Sequence, residues 1–329
     1  MNVNTSKHHQ SAWFKHCISG LIVLSIFAYL SYQVVLIKDD LARVDWQSVW
    51  PLMVAALLFC IATQIIQVSL WYKLVQLKNP RHFTLKRLLA SFFYPIPGKY
   101  LPGKVLYAVA RVELIKHSFN IERKQGSALF MFENLGMLIS SALLSLPYIT
   151  QQFWHFFISL TSSLQLSLYI TLALLALTCT IISLMPHLRQ QIFQHRLSQK
   201  VREILNNFFI LPKTAALWLG VNYHLMWISF GASGLFIVLS LTDTVFTVTN
   251  CLMMMSAFIA AWLIGFLSFL TPGGLGVREA SLVLFLTPYI GIEAASLAAI
   301  ISRITWTLAE FSGVLFCTLL KATKPQLNN

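Results

Sequence analysis

The sequence predicts an all-α polytopic integral membrane protein with about seven to eight transmembrane helices. Hydrophobic residues make up 57% of the chain and charged residues only 11%, whereas a soluble domain carries roughly 25% charged residues. The five cysteines are scattered through apolar segments without a C-x-x-C spacing, which excludes a disulfide-stapled secreted scaffold. We predict neither a metal site nor a cofactor.

Seven apolar segments have the length of about 20 residues that a helix needs to cross a bilayer. They are 17–37, 51–72, 126–147, 157–185, 214–240, 250–270 and 294–320. No A-x-A cleavage site follows the first segment, so we expect a retained anchor rather than a signal peptide. The piece 277–290 is shorter and covers about 21 Å at ~1.5 Å per residue, less than the ~30 Å hydrocarbon core. It is either a short span buried in protein or a re-entrant hairpin, and the side of the C-terminus depends on which it is.

The basic residues predict the orientation of the chain. The net charge is +13, but the Lys and Arg residues lie between apolar segments, where they set topology and meet anionic lipid headgroups; nucleic acid is not an expected partner. Segments 73–124 and 186–213 hold eleven and five of them, whereas 148–156 and 241–249 hold none. This alternation predicts one transmembrane domain, 1–329, in a bacterial inner membrane. Its N-terminus, 1–16, should be cytoplasmic, and a short tail, 321–329, should follow the last span.

A first Pro/Gly-broken segment runs from Pro95 to Lys104. Three prolines and two glycines in ten residues exclude a continuous helix, and we predict a re-entrant element near 88–110. A Pro-Gly turn that opens a helix directs free N–H groups and the positive end of the helix dipole at an anion. We predict a lipid phosphate site here, formed by Gly98, Lys99, Gly103, Lys104 and Arg111. The alternative is a surface turn whose lysines follow the positive-inside rule.

A second broken segment precedes the short apolar piece, giving a second re-entrant candidate at 271–290. Its Pro-Gly turn is rich in glycine, which permits close backbone approach or positive φ. An adjacent Arg and Glu follow this turn. Charged side chains are costly within a membrane unless each pairs with an opposite charge or faces a polar cavity. The predicted headgroup-binding residues are Pro272, Gly273, Gly274, Gly276, Arg278 and Glu279. The alternative is a tight interfacial turn with a solvated ion pair.

Ionisable residues inside apolar spans cost roughly 2.5–3.5 kcal/mol each at a helix centre. Glu133 (beside Asn134), Arg303 and Glu310 are of this kind. One interpretation is an intramembrane polar path for a headgroup. The other is a set of structural ion pairs, with Arg303 meeting Glu133 or Glu279. Arg303 and Glu310 are about 10 Å apart along one helix, too far for a direct bond.

The two broken segments indicate a degenerate internal repeat. Glu133 follows Gly98 by 35 residues, and Glu310 follows Gly273 by 37. Broken segments in corresponding halves of a transporter mark its substrate site. The predicted topology places four spans between the two turns, so both would open on the cytoplasmic side. An inverted repeat would need an odd number, which a helix break at 230–234 would provide, and the sequence leaves a parallel and an inverted repeat both open.

These motifs resemble the lysylphosphatidylglycerol synthase transmembrane family. The resemblance rests on LPGKVLYAVARVELIK, ALFMFENLGML, LTPGGLGVREASLVLFL and SRITWTLAEFSGVL. The family includes the flippase half of the bacterial multiple-peptide-resistance factor. Family members usually have Gly-Asp after the first motif, and here Leu106 and Tyr107 stand near those positions. The Glu-Arg pair that is usual in the next span appears here as Glu133-Asn134. These departures indicate a subfamily with a lipid other than lysyl-phosphatidylglycerol.

The resemblance implies a lipid transporter that moves an anionic phospholipid or a polyprenyl-phosphate-linked lipid between leaflets. We do not expect an enzyme, because the chain ends nine residues after its last span, without room for a soluble catalytic domain. One alternative is a membrane glycosyl or headgroup transferase that uses Asp39 and Asp40 in the first external loop, next to Lys38 and Asp45. Another is a scaffold for lipid- or glycan-synthesis enzymes. The sequence predicts no oligomeric state.

Overall fold

A computed structural model of the chain describes residue 32 and the ranges 45–79, 83–100, 105–159, 212–243, 245–268 and 274–320. The regular structure in these ranges is helical, which confirms the predicted all-α class. The helices are α1 Trp46–Lys78, α2 Leu85–Phe93, a 3₁₀ turn Ile96–Tyr100, α3 Val105–Phe119, α4 Arg123–Ser159, α5 Lys213–Leu241, α6 Val248–Leu267 and α7 Val277–Leu319.

Five of these helices (α1, α4, α5, α6 and α7) are long and apolar enough to cross a membrane. They contain the predicted spans 51–72, 126–147, 214–240, nearly all of 250–270, and all but the last residue of 294–320. The predicted span 17–37, apart from Tyr32, and most of 157–185 lie outside the described residues.

Large apolar side chains cover the outside of these helices. Leu58 and Ile65 on α1, Met131 on α4 and Leu284 on α7 are each about two-thirds exposed. In water such a surface would favour association, because a soluble monomer rarely exposes large contiguous apolar patches. In a bilayer the same side chains contact lipid tails, as a polytopic protein requires.

The first broken segment folds as a helical hairpin. Residues of α3 contact the end of α2: Arg111 donates to the carbonyl oxygen of Phe92 at 2.9 Å. The 3₁₀ turn forms the tip, where Pro95 and Pro97 end α2 and a Cβ on Gly98 would lie 3.0 Å from the amide of Tyr107. The predicted helix after the Pro-Gly turn is confirmed as α3. Its 15 residues rise about 22 Å, less than a hydrocarbon core.

The second broken segment also folds back, within Val277–Leu319. Glu279 and Arg303 are 24 residues apart, which would separate them by about 36 Å on a straight helix. They pair at 3.6 Å. The chain therefore reverses between them, at Gly291, whose backbone (φ 78°, ψ 163°) is non-helical. α7 is thus two arms, 277–290 and 292–319, that correspond to the two apolar pieces separated in the sequence.

The predicted break at 230–234 is wrong, because α5 is helical from Lys213 to Leu241. Its glycines serve close packing instead. A Cβ on Gly231 would lie 3.0 Å from the Cβ of Met255, and a Cβ on Gly234 would overlap the ring of Phe258. Small residues allow membrane helices to approach closely in this way.

The chain divides into two compact units, residues 1–145 with 219–329, and residues 146–218. The first unit contains both hairpins and all the charged residues described below. The second unit contains the end of α4 and the start of α5.

Candidate functional site

Five ionisable residues meet where the tip of the first hairpin reaches the second. Lys99 comes from the 3₁₀ turn, Arg278 and Glu279 from the first arm of α7, and Arg303 and Glu310 from its second arm. We call these five residues the inner cluster. Glu279 and Arg303 each lie 12 residues from Gly291, so they lie about 18 Å from the reversal, near half the thickness of a bilayer.

Lys99 and Glu310 connect the two hairpins. The Lys99 ammonium donates to Glu310 Oε1, and the Tyr100 hydroxyl donates to Glu310 Oε2 at 2.9 Å. Thr307 lies 3.4 Å from the same hydroxyl. The Lys99 side chain is 23% exposed whereas that of Glu310 is 3% exposed. Lys99 is therefore the member of this group that a ligand can approach first.

Glu279 holds the start of α7. Its Oε2 accepts from the amide of Gly276 at 2.7 Å, which closes the N-terminus of the helix, and its Oε1 lies 3.6 Å from Arg303 Nε. Gly276 and Gly274 adopt positive φ (81° and 74°), as the glycine-rich turn predicts. Among the two pairings foreseen for Arg303, the structure shows the one with Glu279.

Arg278 is buried without a complete set of partners. It is 4% exposed, and among the described residues its Nη2 has no hydrogen-bond partner. Its guanidinium lies 5.2 Å from the ring centroid of Phe230, a distance at which a cation is attracted to the face of an aromatic ring. Its backbone is fixed by close packing, because a Cβ on Gly265 would lie 2.7 Å from the Cβ of Arg278.

The inner cluster carries three cations and two carboxylates, and hence one surplus positive charge. Each carboxylate faces a cation: Glu310 bonds to Lys99, and Glu279 forms a looser ion pair with Arg303, in which Glu279 Oε1 has no hydrogen-bond partner among the described residues. The remaining charge belongs to Arg278, which has a free donor. A buried cation without a counter-ion is unfavourable in a low-dielectric interior. The arrangement can therefore bind an anion, and a planar guanidinium suits phosphate oxygens.

Arg111 and Glu133 form a separate pair between α3 and α4. Arg111 Nη2 donates to both carboxylate oxygens of Glu133, at 2.8 and 2.9 Å. The guanidinium also lies 4.1 Å from the ring centroid of Trp71 and 4.6 Å from that of Phe92. Arg111 is 0% exposed. Arg111 Nε has no hydrogen-bond partner among the described residues, but the charge of each residue is met by the charge of the other. We call Arg111 and Glu133 the frame pair, because they leave no surplus charge for a substrate to neutralise.

The predicted site residues thus separate into groups. Lys99, Arg278, Glu279, Arg303 and Glu310 come together, whereas Arg111 and Glu133 bond to each other and not to Arg303. Asn134 donates to the carbonyl oxygen of Phe130 in its own helix at 2.7 Å. Gly98 lies buried in the tip of the first hairpin. Outside the described residues lie Gly103, Lys104, Pro272, Gly273, Lys38, Asp39 and Asp40.

Asp45, from the alternative acidic loop, is the N-cap of α1, where its side chain accepts from the amide of Gln47 at 3.1 Å. Its position is thus explained by helix capping. One further residue of the site, Tyr100, escaped sequence analysis, although its position next to Lys99 was a signal.

The chain matches the family described as "Lysylphosphatidylglycerol synthase TM region" over residues 17–311. The match covers the first hairpin, the second hairpin as far as residue 311, and every member of the inner cluster. No curated protein and no solved structure matches the chain.

Proposed function

The chain belongs to the lysylphosphatidylglycerol synthase transmembrane family, and on this premise we propose that it moves an anionic, phosphate-bearing lipid between membrane leaflets. The inner cluster binds the headgroup phosphate while the acyl or isoprenoid tail stays in the bilayer. An anionic phospholipid and a polyprenyl-phosphate-linked lipid both have the required charge.

The observation that carries the proposal is the surplus positive charge at Arg278. A purely structural network would pair each buried charge, because breaking such a pair is strongly destabilising. Here the inner cluster holds three cations against two carboxylates, and among the described residues the Arg278 guanidinium retains a free donor, as Glu279 Oε1 retains a free acceptor. An incoming phosphate would complete the hydrogen bonds of Arg278 and neutralise the cluster.

Lys99 gives the headgroup a route to Arg278. Its ammonium is partly exposed and bonds to Glu310. A phosphate that approaches the tip of the first hairpin competes with Glu310 for this ammonium. The Tyr100 hydroxyl keeps its hydrogen bond to the released Glu310 carboxylate. Glu310 therefore retains one donor while the Lys99 ammonium turns to the ligand. The headgroup then passes from Lys99 to Arg278, whose surplus positive charge it neutralises.

Leaflet exchange of labelled lipids in proteoliposomes tests the proposal. We expect the wild-type chain to accelerate exchange of phosphatidylglycerol or of a polyprenyl phosphate over protein-free vesicles. Arg278→Gln and Lys99→Met should each reduce this acceleration at least tenfold, because each removes a charge-assisted phosphate contact worth roughly 1.5–3 kcal/mol. Arg123→Gln is the matched control, since Arg123 is exposed and bonds to Glu113 outside the cluster.

Two results would count against the proposal. One is an exchange rate equal to that of empty vesicles for every anionic lipid offered. The other is full activity in Arg278→Gln. The double variant Asp39→Asn, Asp40→Asn addresses the transferase alternative: we expect its exchange rate to equal that of the wild type, whereas an enzyme using this loop would lose product formation.

A further inference from the structure

The first hairpin covers one half of the second arm of α7. We call the arms 277–290 and 292–319 the short arm and the long arm. The Cζ atom of Arg303, near the middle of the long arm, lies 5.6 Å from the centroid of the Tyr100 ring in the hairpin tip. A Cβ on Gly313, about 15 Å further along the long arm, would overlap the ring of Phe93 in α2. α2 therefore extends from the tip toward the C-terminal end of the long arm.

The short arm covers the other half. It is joined to the long arm at Gly291, and its Glu279 pairs with Arg303 at 3.6 Å. Between these two points it follows the long arm for about 18 Å. The base of the first hairpin and the reversal at Gly291 thus lie at opposite ends of the long arm, and hence toward opposite faces of the membrane.

One ion pair fastens each covering element to the long arm. Lys99 in the tip of the first hairpin bonds to Glu310, and we call this pair the first tie. Glu279 in the short arm pairs with Arg303, and we call this pair the second tie. The two residues of the long arm are about 10 Å apart along its axis. Both covering elements are therefore fastened near the middle of the long arm, where they meet.

A phosphate can compete with the carboxylate of either tie, because each tie contains a cation. In the first tie the cation is Lys99, which is the more exposed partner. In the second tie the distance of 3.6 Å exceeds a hydrogen bond, and Glu279 Oε1 has no hydrogen-bond partner among the described residues. The frame pair, in contrast, has two bonds of 2.8 and 2.9 Å. The second tie is therefore the easier of the two Arg–Glu pairs to open.

Each covering element has a second contact that does not depend on its tie. The first hairpin packs the ring of Phe93 against Gly313. The short arm packs against α6, where a Cβ on Gly265 would lie 2.7 Å from the Cβ of Arg278. Close packing of this kind, which glycine permits between membrane helices, can act as a pivot. Opening a tie would then release the inner end of its element without detaching the element.

We propose that the two ties are gates that open in turn, one toward each face of the membrane. The first gate, Lys99 with Glu310, opens toward the base of the first hairpin, and the second gate, Glu279 with Arg303, opens toward Gly291. The inference rests on the proposed function and adds the order of events to it. A headgroup phosphate displaces one carboxylate when it enters and the other when it leaves. With both gates closed, the inner cluster is covered from both faces.

Thiol labelling from each face of the membrane tests the gates without measuring transport. The reporter is Thr307→Cys, in a chain whose five native cysteines are replaced by alanine. Thr307 is 3% exposed and lies between the two gate residues of the long arm. The reagent is sulfonatoethyl methanethiosulfonate, an anion that does not cross membranes, applied to sealed vesicles of either orientation. Single cysteines at the exposed positions of Arg123, near the base of the first hairpin, and Glu293, beside Gly291, identify the two faces.

The two gates should give opposite results. Glu310→Ala should accelerate labelling of the reporter thiol about tenfold or more from the face of Arg123, because it removes charge-assisted contacts that favour the closed form. Glu279→Ala should do the same from the face of Glu293. Neither variant should accelerate labelling from the other face. With both ties intact, labelling should be slow from both faces.

Two further variants separate gating from a loosened fold. Glu113→Ala removes a glutamate that bonds to Arg123 outside the inner cluster, and should leave the reporter thiol protected. Glu279→Gln serves where Glu279→Ala does not fold, because a glutamine can still accept from the Gly276 amide while it removes the charge that faces Arg303. General loosening would expose the thiol from both faces and would overturn the inference.

The remaining outcomes also decide the question. Labelling that both variants accelerate from the same face, or that neither variant accelerates, would overturn the gates. If lipid exchange nevertheless proceeds, the proposed function stands without them. Labelling from opposite faces in a chain that exchanges no lipid would support the gates and refute lipid transport. Labelling of both face markers from one side would refute the opposite placement of the two ends.

Discussion

The frame pair provides the sharpest test of which buried charges are structural. Glu133→Gln keeps the size of the side chain but removes the charge that faces Arg111. The guanidinium would retain the carbonyl oxygens of Phe92 and Ser91, at 2.9 and 3.3 Å, and two aromatic rings. It would lose both charge-assisted bonds to the carboxylate. Removing one partner of a buried pair costs roughly 3–5 kcal/mol, and we expect a value near the lower limit because these contacts remain.

The assay is reversible unfolding in mixed micelles of rising sodium dodecyl sulfate content. Glu293→Gln makes the same change at an exposed position and should stay within about 0.5 kcal/mol of the wild type. The double variant Arg111→Met, Glu133→Leu should recover most of the stability, since well-packed apolar residues often replace a buried pair without loss. If Glu133→Gln costs under 1 kcal/mol and abolishes lipid exchange, Glu133 belongs to the polar path and our division into two groups is wrong.

Three further predictions concern the hairpins and the pair at the start of α4. Gly313→Ala would place a methyl group inside an aromatic ring of α2, so we expect a loss of about 1–3 kcal/mol in the same unfolding assay. Gly291→Ala has open space but a left-handed backbone, and should cost about 1–3 kcal/mol, whereas Gly220→Ala, also in open space but helical, should be neutral or stabilising. The Arg123 guanidinium lowers the pKa of Glu113 below its ordinary value. The contact therefore contributes its full stability above the ordinary carboxyl pKa. This stability is lost as the pH falls through the lowered pKa of Glu113. Melting curves of Arg123→Gln and wild type should accordingly converge in acid and differ by a small constant above about pH 5, since the pair is exposed.

Composition and segment length were sufficient to predict the membrane-spanning helices. Apolar runs of about 20 residues have few folded alternatives, because a bilayer requires every backbone group to be bonded within its own helix. The same reasoning located both broken segments, since clustered proline and glycine cannot continue a helix. It failed at 230–234, where small residues permit close helix packing and the backbone stays helical.

The pairing of charges could be predicted only in part. Arg303 had two candidate partners in sequence, and the reversal at Gly291 decides between them by placing Glu279 at the same distance from the turn. The bond between Lys99 and Glu310 joins residues 211 positions apart. It depends on how deeply the first hairpin inserts between other helices, which no local pattern encodes. Tyr100 joins the site for the same reason.

The first hairpin with α4 and the second hairpin use buried charge in opposite ways, and the proposed function depends on this asymmetry. In the first part, Arg111 on the short helix α3 bonds to Glu133 on the long helix α4. In the second, Glu279 on the short arm of α7 pairs with Arg303 on its long arm. The separations are similar, 22 residues for Arg111 and Glu133 and 24 for Glu279 and Arg303, as a degenerate repeat would give. The second half also carries Arg278, directly before its paired glutamate. A balanced pair such as Arg111 and Glu133 holds helices together, whereas a cluster with one more cation than carboxylates can be neutralised by an anionic ligand. The first half therefore supplies the frame and the approach through Lys99, and the second supplies the charge that a lipid phosphate would complete.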